Sequence, residues 1–268
     1  MTLPPPLAAG NARVKEARRL SRRPTRSERR LFLADGPKAV EGALTVPGCA
    51  VEVFATTEAS TTYDALWRDA EAAGVPWTPV AHRAMAGLSD SVTPAGVVAV
   101  CRFLDRPVDE VLAGGDLLVV AADVRDPGNA GTLVRTADAV EAAGVVLAGH
   151  SVDAYNPKTV RASVGSLFHL PVALVPDPAA AVAGARAAGL TVLAAEGGGE
   201  VDLFDADELL RGPVAWLFGN EAWGLPAELA GAAHHRIAIP IPGRAESLNL
   251  ATAAAVCLYA TARARRPD

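Results

Sequence analysis

Several features that would mark other classes of protein are scarce or missing in these 268 residues. The three cysteines, Cys49, Cys101 and Cys257, form no CxxC pair, which argues against a zinc site or a disulfide framework and indicates buried thiols. No apolar run is long enough to cross a membrane, and the first residues do not have the pattern of a signal peptide. We therefore expect a cytoplasmic protein with no membrane contact.

Common nucleotide and metal motifs are missing as well. No GxGxxG follows a predicted strand and no P-loop pattern occurs, which argues against a dinucleotide fold and a P-loop enzyme. The glycine run 197–199 lacks the required spacing, so we interpret it as a flexible loop. The histidines are scattered, and His234 and His235 point to different faces, so no metal site is predicted.

Positive charge is concentrated at the start of the chain. Residues 1–30 carry nine basic and two acidic side chains, a net charge of +7, whereas the remainder carries −12 and the whole chain −5. A basic segment on an acidic body is typical of phosphate-backbone binding, and the planar arginine fork suits phosphate. We expect residues 13–30 to bind nucleic acid; the alternative is a solvated amphipathic helix with no partner.

The apolar pattern predicts a small α/β unit of about a hundred residues, in a chain whose 50% hydrophobic content allows a sizeable core. Residues 1–10 are rich in proline and are expected to be disordered. A linker is predicted at 106–115. The predicted strands are 51–55, 76–80 and 96–101, and the predicted helices are 26–46 with a break at Gly36-Pro37, 62–73 and 82–88.

The second unit alternates more regularly between strands and helices. This pattern predicts a mostly parallel sheet covered on both faces, with ligands bound beyond the carboxyl ends of its strands. Its predicted strands are 117–122, 145–148, 172–175, 190–195, 214–218 and 236–241. Its predicted helices are 130–143, 178–188, 206–210, 226–233 and 247–265.

Three unusual segments each follow a predicted strand of this unit, so we expect them to meet at one rim of the sheet. The first contains Asp126-Pro127-Gly128-Asn129-Ala130-Gly131 and leads to Arg135. The second is Phe218-Gly219-Asn220-Glu221 with Gly224. The third is Ile239-Pro240-Ile241-Pro242-Gly243, which leads to Ser247-Leu248-Asn249.

The residues of these segments are interpreted either as ligand-binding and catalytic groups or as ordinary structural elements. The first starts a helix whose amides suit an anion, with Arg135 on its first turns, or it is only a tight turn. In the second, glycines allow a flat ligand close to the backbone, and Glu221 orients a substrate or neighbours Arg135. In the third, the alternate prolines prevent ladder pairing and leave main-chain groups for an adenine edge. Ser247 is predicted to cap the last helix, and Asn249 to be a buried amide one turn in.

Together, in this order and at this spacing, the three segments strongly resemble the SpoU/TrmH family of RNA 2'-O-ribose methyltransferases. The resemblance covers roughly residues 20–266 and includes the stretches 155–166 and 93–99. It implies an α/β catalytic domain at 116–268 with a trefoil knot, and a smaller ribosomal-protein-like RNA-binding domain at 21–105. Residues 1–20 would then be disordered or a basic arm. It also implies an S-adenosylmethionine cofactor and a homodimer with sites near the dimer interface.

The resemblance also implies roles for particular residues. The implied catalytic set is Asn129, Arg135, Glu221, Ser247 and Asn249. The implied cofactor contacts are Gly219, Ile239 and Leu248, with a further contribution from the loop at 195–196. The family often assigns Arg135 to deprotonation of the ribose 2'-hydroxyl, but a guanidinium is essentially never deprotonated. Our hypothesis is that Arg135 grips a phosphate and stabilises the developing alkoxide, while the polar side chains orient the hydroxyl.

The sequence therefore predicts methyl transfer from S-adenosylmethionine to a ribose 2'-hydroxyl of RNA, with 23S-type ribosomal RNA favoured because of the separate N-terminal domain. Transfer RNA is the alternative substrate, and DNA is not expected. A non-catalytic RNA-binding or ribosome-assembly protein is the alternative from another class. The presence of the whole catalytic set argues against that alternative.

Overall fold

A four-stranded sheet organises the first of two compact units in this computed structural model, which describes residues 4–266. The strand order is β1-β4-β2-β3; β4 runs antiparallel to β1 and β2, and β3 runs parallel to β2. The strands are β1 (Leu31–Asp35), β2 (Ala50–Ala55), β3 (Trp77–Pro79) and β4 (Val97–Arg102). The unit comprises the residues up to Leu104 together with Asp153–His169.

Helices surround this sheet, and one stretch of the helix prediction was wrong. Residues 31–35 form β1 instead of continuing a helix, because Phe32, Leu33 and Ala34 are all buried in the sheet and Gly36 has a φ of 95° that ends the strand. The helices of this unit are α1 (Ala12–Arg18), α2 (Arg23–Arg29), α3 (Pro37–Thr45), α4 (Thr57–Thr62), α5 (Asp64–Ala72), α6 (His82–Leu88) and α9 (Pro157–Ser163).

The expected disorder at the start of the chain does not hold for residues 4–20. The Leu7 amide donates to the Pro79 carbonyl at 2.8 Å, and the Asn11 side chain caps α1. Val14, Ala17 and Leu20 are buried in the same apolar cluster as Phe54 and Met85. Apolar spacing inside the basic segment thus holds it on the sheet. Residues 1–3 lie outside the described part of the chain.

The segment Asp153–His169 packs in the first unit although it lies far along the sequence. Tyr155 is fully buried, with its ring centroid 4.7 Å from that of Phe32 and 3.8 Å from that of Phe103. Its hydroxyl accepts a hydrogen bond from the Leu104 amide at 2.7 Å. The two consecutive domains predicted from the sequence did not include a later segment that packs in the first unit.

A parallel sheet of seven strands organises the second unit, which comprises Asp105–Val152 and Leu170–Asp268. The strand order is β7-β6-β5-β10-β8-β11-β9, and each neighbouring pair is parallel. The strands are β5 (Leu117–Ala122), β6 (Gly144–Ala148), β7 (Val172–Val175), β8 (Thr191–Ala195), β9 (Val201–Asp202), β10 (Val214–Phe218) and β11 (His235–Ala238). The short strand β9 was not predicted.

Both faces of this sheet are covered, which confirms the predicted fold class. On one face Leu118, Val146 and Ala215 pack with Val182 of α10 and Leu229 of α12. On the other, Trp216 donates to the Thr261 hydroxyl of α13 at 2.9 Å. The helices are α7 (Val108–Leu112), α8 (Pro127–Ala139), α10 (Pro178–Ala187), α11 (Asp207–Arg211), α12 (Ala227–Gly231) and α13 (Leu250–Ala264). The trefoil knot stays a prediction.

Within residues 4–266, none of these helices has the length and apolar content needed to cross a membrane.

Candidate functional site at the carboxyl rim of the parallel sheet

Hydrogen bonds join the three unusual segments at the carboxyl ends of β5, β10 and β11. Glu221, after β10, accepts from the Asn129 side chain of the first segment at 3.2 Å. Asn249, beyond β11, donates from Nδ2 to Oδ1 of Asn129 at 3.1 Å. The three segments therefore meet at one rim, as the sequence predicted, and Asn129 bonds to both of the other segments.

Glu221 holds the loop between β5 and α8. Its carboxylate accepts from the backbone amides of Arg125 and Asp126 at 3.1 and 3.0 Å. Asp126 in turn caps α8 by accepting from the Asn129 amide at 2.8 Å. Two carboxylates at a helix start satisfy main-chain donors that a helix leaves unpaired. Glu221 thus contacts the segment that carries Arg135, and no hydrogen bond or ion pair joins the two side chains within residues 4–266. The other alternative, that Glu221 orients a substrate, stays a prediction.

The hydrogen bonds of Glu221 keep its carboxyl ionised. Burial raises its pKa, but donation from the Arg125, Asp126 and Glu221 amides and from the Asn129 side chain outweighs burial and holds the pKa below its ordinary value. An ionised carboxylate only accepts hydrogen bonds, so Nδ2 of Asn129 must face Glu221, and Oδ1 of Asn129 is then turned toward Nδ2 of Asn249. Glu221 therefore orients Asn129.

Asn249 caps the last helix, and this corrects two predictions. Its Oδ1 accepts from the amides of Ala251 and Thr252 at 2.9 and 3.3 Å, so α13 begins at Leu250 and Ser247 lies before the cap. Asn249 is exposed and is not the buried amide that the sequence suggested. Because its oxygen is used by the helix, its Nδ2 is the group left to donate to Asn129.

The two glycines of the second segment contact each other. A Cβ on Gly219 would lie 2.4 Å from the carbonyl carbon of Gly224, and Gly224 has a φ of 69°. Asn220 and Gly224 exchange two main-chain hydrogen bonds of 2.9 Å, which close a tight loop around Glu221. Glycine at 219 is therefore required by the loop itself.

Asn220 is a structural residue of the rim that the sequence reasoning did not single out. It is buried, its Nδ2 donates to the Asp123 carbonyl at 2.7 Å, and its Oδ1 accepts from the Ala222 amide at 2.8 Å. An asparagine that bonds the backbone two residues on is a known turn signal, so the local sequence held this information.

Arg135 and Ser247 are exposed and make no hydrogen bond or ion pair through their side chains within residues 4–266. Arg135 is the ninth of the 13 residues of α8, because the helix begins at Pro127 and not at the predicted residue 130. It therefore lies about 9 Å along the helix axis from Asn129 and not on the first turns.

An irregular stretch follows β11, which ends at Ala238 and not at 241. Pro240 and Pro242 lie in this stretch, so its main chain forms no ladder there. Among the residues assigned to a cofactor, Gly219 is buried, Ile239 is half-buried and Leu248 is 37% exposed. The third segment is thus an irregular stretch between the end of β11 and the cap of α13.

Comparison with known protein families gives two matches. The family model for the SpoU rRNA Methylase family matches residues 116–259. The chain belongs to this family. A model of the MRM3-like substrate binding domain matches residues 11–99, in the first unit.

Individual proteins that are similar to this SpoU family member are named as rRNA methyltransferases. A 23S rRNA (uridine(2479)-2'-O)-methyltransferase of Streptomyces viridochromogenes is 39% identical over 64% of this chain and 61% of its own length, so that match spans less than two thirds of the relative. The 23S rRNA (guanosine(2553)-2'-O)-methyltransferase RlmP of Bacillus subtilis is 32% identical over 94% of this chain and 96% of its own. The crystal structure of an AdoMet-bound rRNA methyltransferase from Sinorhizobium meliloti superposes with a TM-score of 0.83, at 34% identity, over 94% and 95% of the two chains.

Proposed function

We propose that this chain transfers a methyl group from S-adenosylmethionine to a ribose 2'-hydroxyl of ribosomal RNA of the 23S type. The observation that carries the proposal is the bonded series Glu221–Asn129–Asn249, which joins the three family segments at one rim. Membership of the SpoU family and relatives named for 23S rRNA 2'-O-methylation support the substrate.

The rim offers main-chain groups and a carboxylate oxygen, which are the types of group that would hold the cofactor. Gly219, Ile239 and Leu248 would hold S-adenosylmethionine, and the loop after Ile239 has main-chain groups that no strand ladder uses. Glu196, at the end of β8, adds a solvent-shielded carboxylate oxygen with no donor among residues 4–266. When bound, the cofactor supplies a sulfonium methyl group as the electrophile.

The residues of the chain would divide the work at the ribose. Glu221 fixes the orientation of Asn129, and Asn129 with Asn249 presents amide groups that orient the 2'-hydroxyl. Arg135 would bind the adjoining phosphate and stabilise the negative charge that develops on the 2'-oxygen, because its guanidinium is free of protein partners within residues 4–266. Ser247, also exposed, would hydrogen-bond the same ribose.

The basic segment of the first unit supports RNA binding. Several of its arginines serve the fold: Arg26 is buried and donates to Asp153 at 2.7 Å, and Arg13 pairs with Glu52. Others are exposed and have no acidic partner in the described part of the chain; these are Lys15, Arg18, Arg22 and Arg23. Four unpaired cations close together in sequence would bind the RNA backbone.

We further propose that the enzyme is a homodimer and acts in the cytoplasm. Support for the dimer comes from large apolar side chains that stay exposed in the second unit, namely Leu174, Phe204, Trp223, Leu248 and Tyr259. Light scattering of the purified protein at several concentrations tests it, and a monomer at all concentrations would overturn this part alone.

Mapping of ribose methylation in total RNA from cells with and without the gene tests the main proposal. We expect one 2'-O-methylated position of 23S rRNA to disappear on deletion and to return when the wild-type gene is restored. Restoration by a gene carrying Arg135→Ala would contradict the assigned chemistry. Loss of a position in transfer RNA instead would overturn the rRNA assignment. No lost position, together with RNA binding by the purified protein, would favour a non-catalytic RNA-binding role.

A further inference from the structure

A carboxylate oxygen without a hydrogen-bond donor lies at the carboxyl end of β8. Glu196 follows the strand directly, and its Oε2 is shielded from solvent with no partner among residues 4–266. Keeping a charged oxygen away from water without a donor costs free energy, and buried polar atoms nearly always have partners. An unpaired oxygen of this kind therefore points to a ligand that donates hydrogen bonds.

The main chain holds Glu196 in place. Its amide donates to the Ile237 carbonyl of β11 at 3.0 Å, and the Gly199 amide donates back to the Glu196 carbonyl at 3.0 Å, which closes a tight turn. A Cβ on Gly199 would lie 2.6 Å from the Arg236 carbonyl oxygen, so the turn packs directly on β11. These contacts fix the main chain that carries the carboxylate.

The neighbouring acidic residue of the same loop behaves differently. Glu200 accepts from the main-chain amide and from Nε of Arg236 at 3.0 and 2.8 Å. The main-chain and side-chain donors of Arg236 on β11 are thus used by Glu200. Glu196 is left for a molecule that comes from outside the fold.

The register of the sheet places Glu196 between the residues that the proposed function assigns to the cofactor. Strand β8 lies between β10 and β11, with Ala194 opposite Leu217 and Ala195 opposite Ile237. Continuing each register puts Glu196 level with Gly219 on one side and with Ala238, next to Ile239, on the other.

We propose that the Glu196 carboxylate accepts hydrogen bonds from the ribose hydroxyls of bound S-adenosylmethionine. The inference rests on the proposed function, and it assigns the side chain of Glu196 to one specific part of the cofactor. An ionised carboxylate can only accept, and a ribose offers two adjacent hydroxyl donors. Acidic side chains beyond a strand perform this task for the ribose in dinucleotide-binding folds. The free main chain after Ile239 would then face the base.

Calorimetric titration of the full-length protein with S-adenosylmethionine and with 5'-methylthioadenosine tests the assignment. The second ligand keeps the adenine and the ribose but lacks the amino-acid part. We expect Glu196→Gln to weaken both ligands by the same factor, about 10- to 100-fold, since a hydrogen bond to a charged group is lost. Glu200→Gln is the matched control, because it removes one charge from the same loop, and it should leave both affinities within about twofold of wild type.

The outcomes separate the two proposals. Weakening of S-adenosylmethionine alone would show that Glu196 holds the amino-acid part and would overturn the ribose assignment. Unchanged binding of both ligands by Glu196→Gln, with normal binding by wild type, would overturn the inference and leave the proposed function intact. Absence of binding by wild type would instead count against the proposed function. Circular dichroism of each variant establishes that it is folded.

Discussion

The candidate site has two halves in which the side chains are held differently. In the linked half, Glu221, Asn129 and Asn249 bond to each other and to the starts of two helices. In the open half, Arg135 and Ser247 are exposed and unbonded within residues 4–266. A side chain already bonded to the protein fixes geometry before the substrate arrives, while a free one is available to bind it. Substitutions in the open half should therefore lower turnover and leave stability unchanged. Substitutions in the linked half should lower stability as well as turnover.

The largest effect is expected at Arg135. Arg135→Ala should lower kcat about 100- to 1,000-fold, because one charged donor to the transition state is lost. Its Tm and its affinity for S-adenosylmethionine should match wild type, since Arg135 has no partner in the described part of the chain. Single-turnover methylation of the mapped RNA measures the rate.

Arg135→Lys separates charge from shape at the same position. Lysine keeps the charge but lacks the bidentate fork, so we expect turnover to stay at least about tenfold below wild type. Near-normal turnover of this variant would refute a phosphate-gripping role for Arg135.

A stability effect is expected at Gly219, which packs against Gly224 in the loop that carries Glu221 of the linked half. Gly219→Ala places a Cβ 2.4 Å from a backbone atom of Gly224, which cannot move away easily. We expect a loss of about 1–3 kcal/mol in the free energy of unfolding. Gly243→Ala in the third segment is the control, because a Cβ there meets nothing within 4 Å. Equal unfolding midpoints in urea for the two variants would show that the loop is not packed as described.

The sequence predicted the fold and the meeting of the three segments because parallel strands leave a local apolar pattern and their carboxyl ends share one rim. It did not predict which hydrogen bonds form at that rim. Serine and asparagine are both good helix caps, so Ser247 and Asn249 could not be ranked without the position of Asn129. The burial of Arg26 depends on Asp153, more than a hundred residues away, and no local pattern encodes such a contact.

Asn249 allows capping and catalysis to be separated. Asn249→Ala should cost about 0.5–2 kcal/mol of stability, because α13 loses its cap, and should also lower kcat. Asn249→Asp keeps the capping oxygen but cannot donate to Asn129. We expect it to retain the wild-type Tm and to show the kcat of the alanine variant. Full activity of the aspartate variant would exclude a role for the bond between the two asparagines.

The first unit also has side chains that are bonded to the protein and side chains that are free to bind RNA. Arg26 donates to Asp153, whereas Arg22 and Arg23 have no side-chain partner within residues 4–266. The double variant Arg22→Ala/Arg23→Ala should keep its Tm. The slope of log binding constant against log salt for the RNA should fall by about 1.4, if each arginine contacts one phosphate of a single strand. Arg68→Ala removes an exposed arginine that already pairs with Asp64, and should leave the slope unchanged.

The smallest effect is a pH dependence of the linked half. Hydrogen bonds hold the pKa of Glu221 in the folded protein below the ordinary value of 4.5, so the ionised carboxylate stabilises the fold above that pH. This contribution is lost as pH falls through the lowered pKa. The stability difference between wild type and Glu221→Gln, measured by urea unfolding from about pH 7 to about pH 3, should stay constant at first and then shrink. A difference that grows on acidification would mean that Glu221 gains a proton on folding, and the orientation of Asn129 by an ionised acceptor would have to be abandoned.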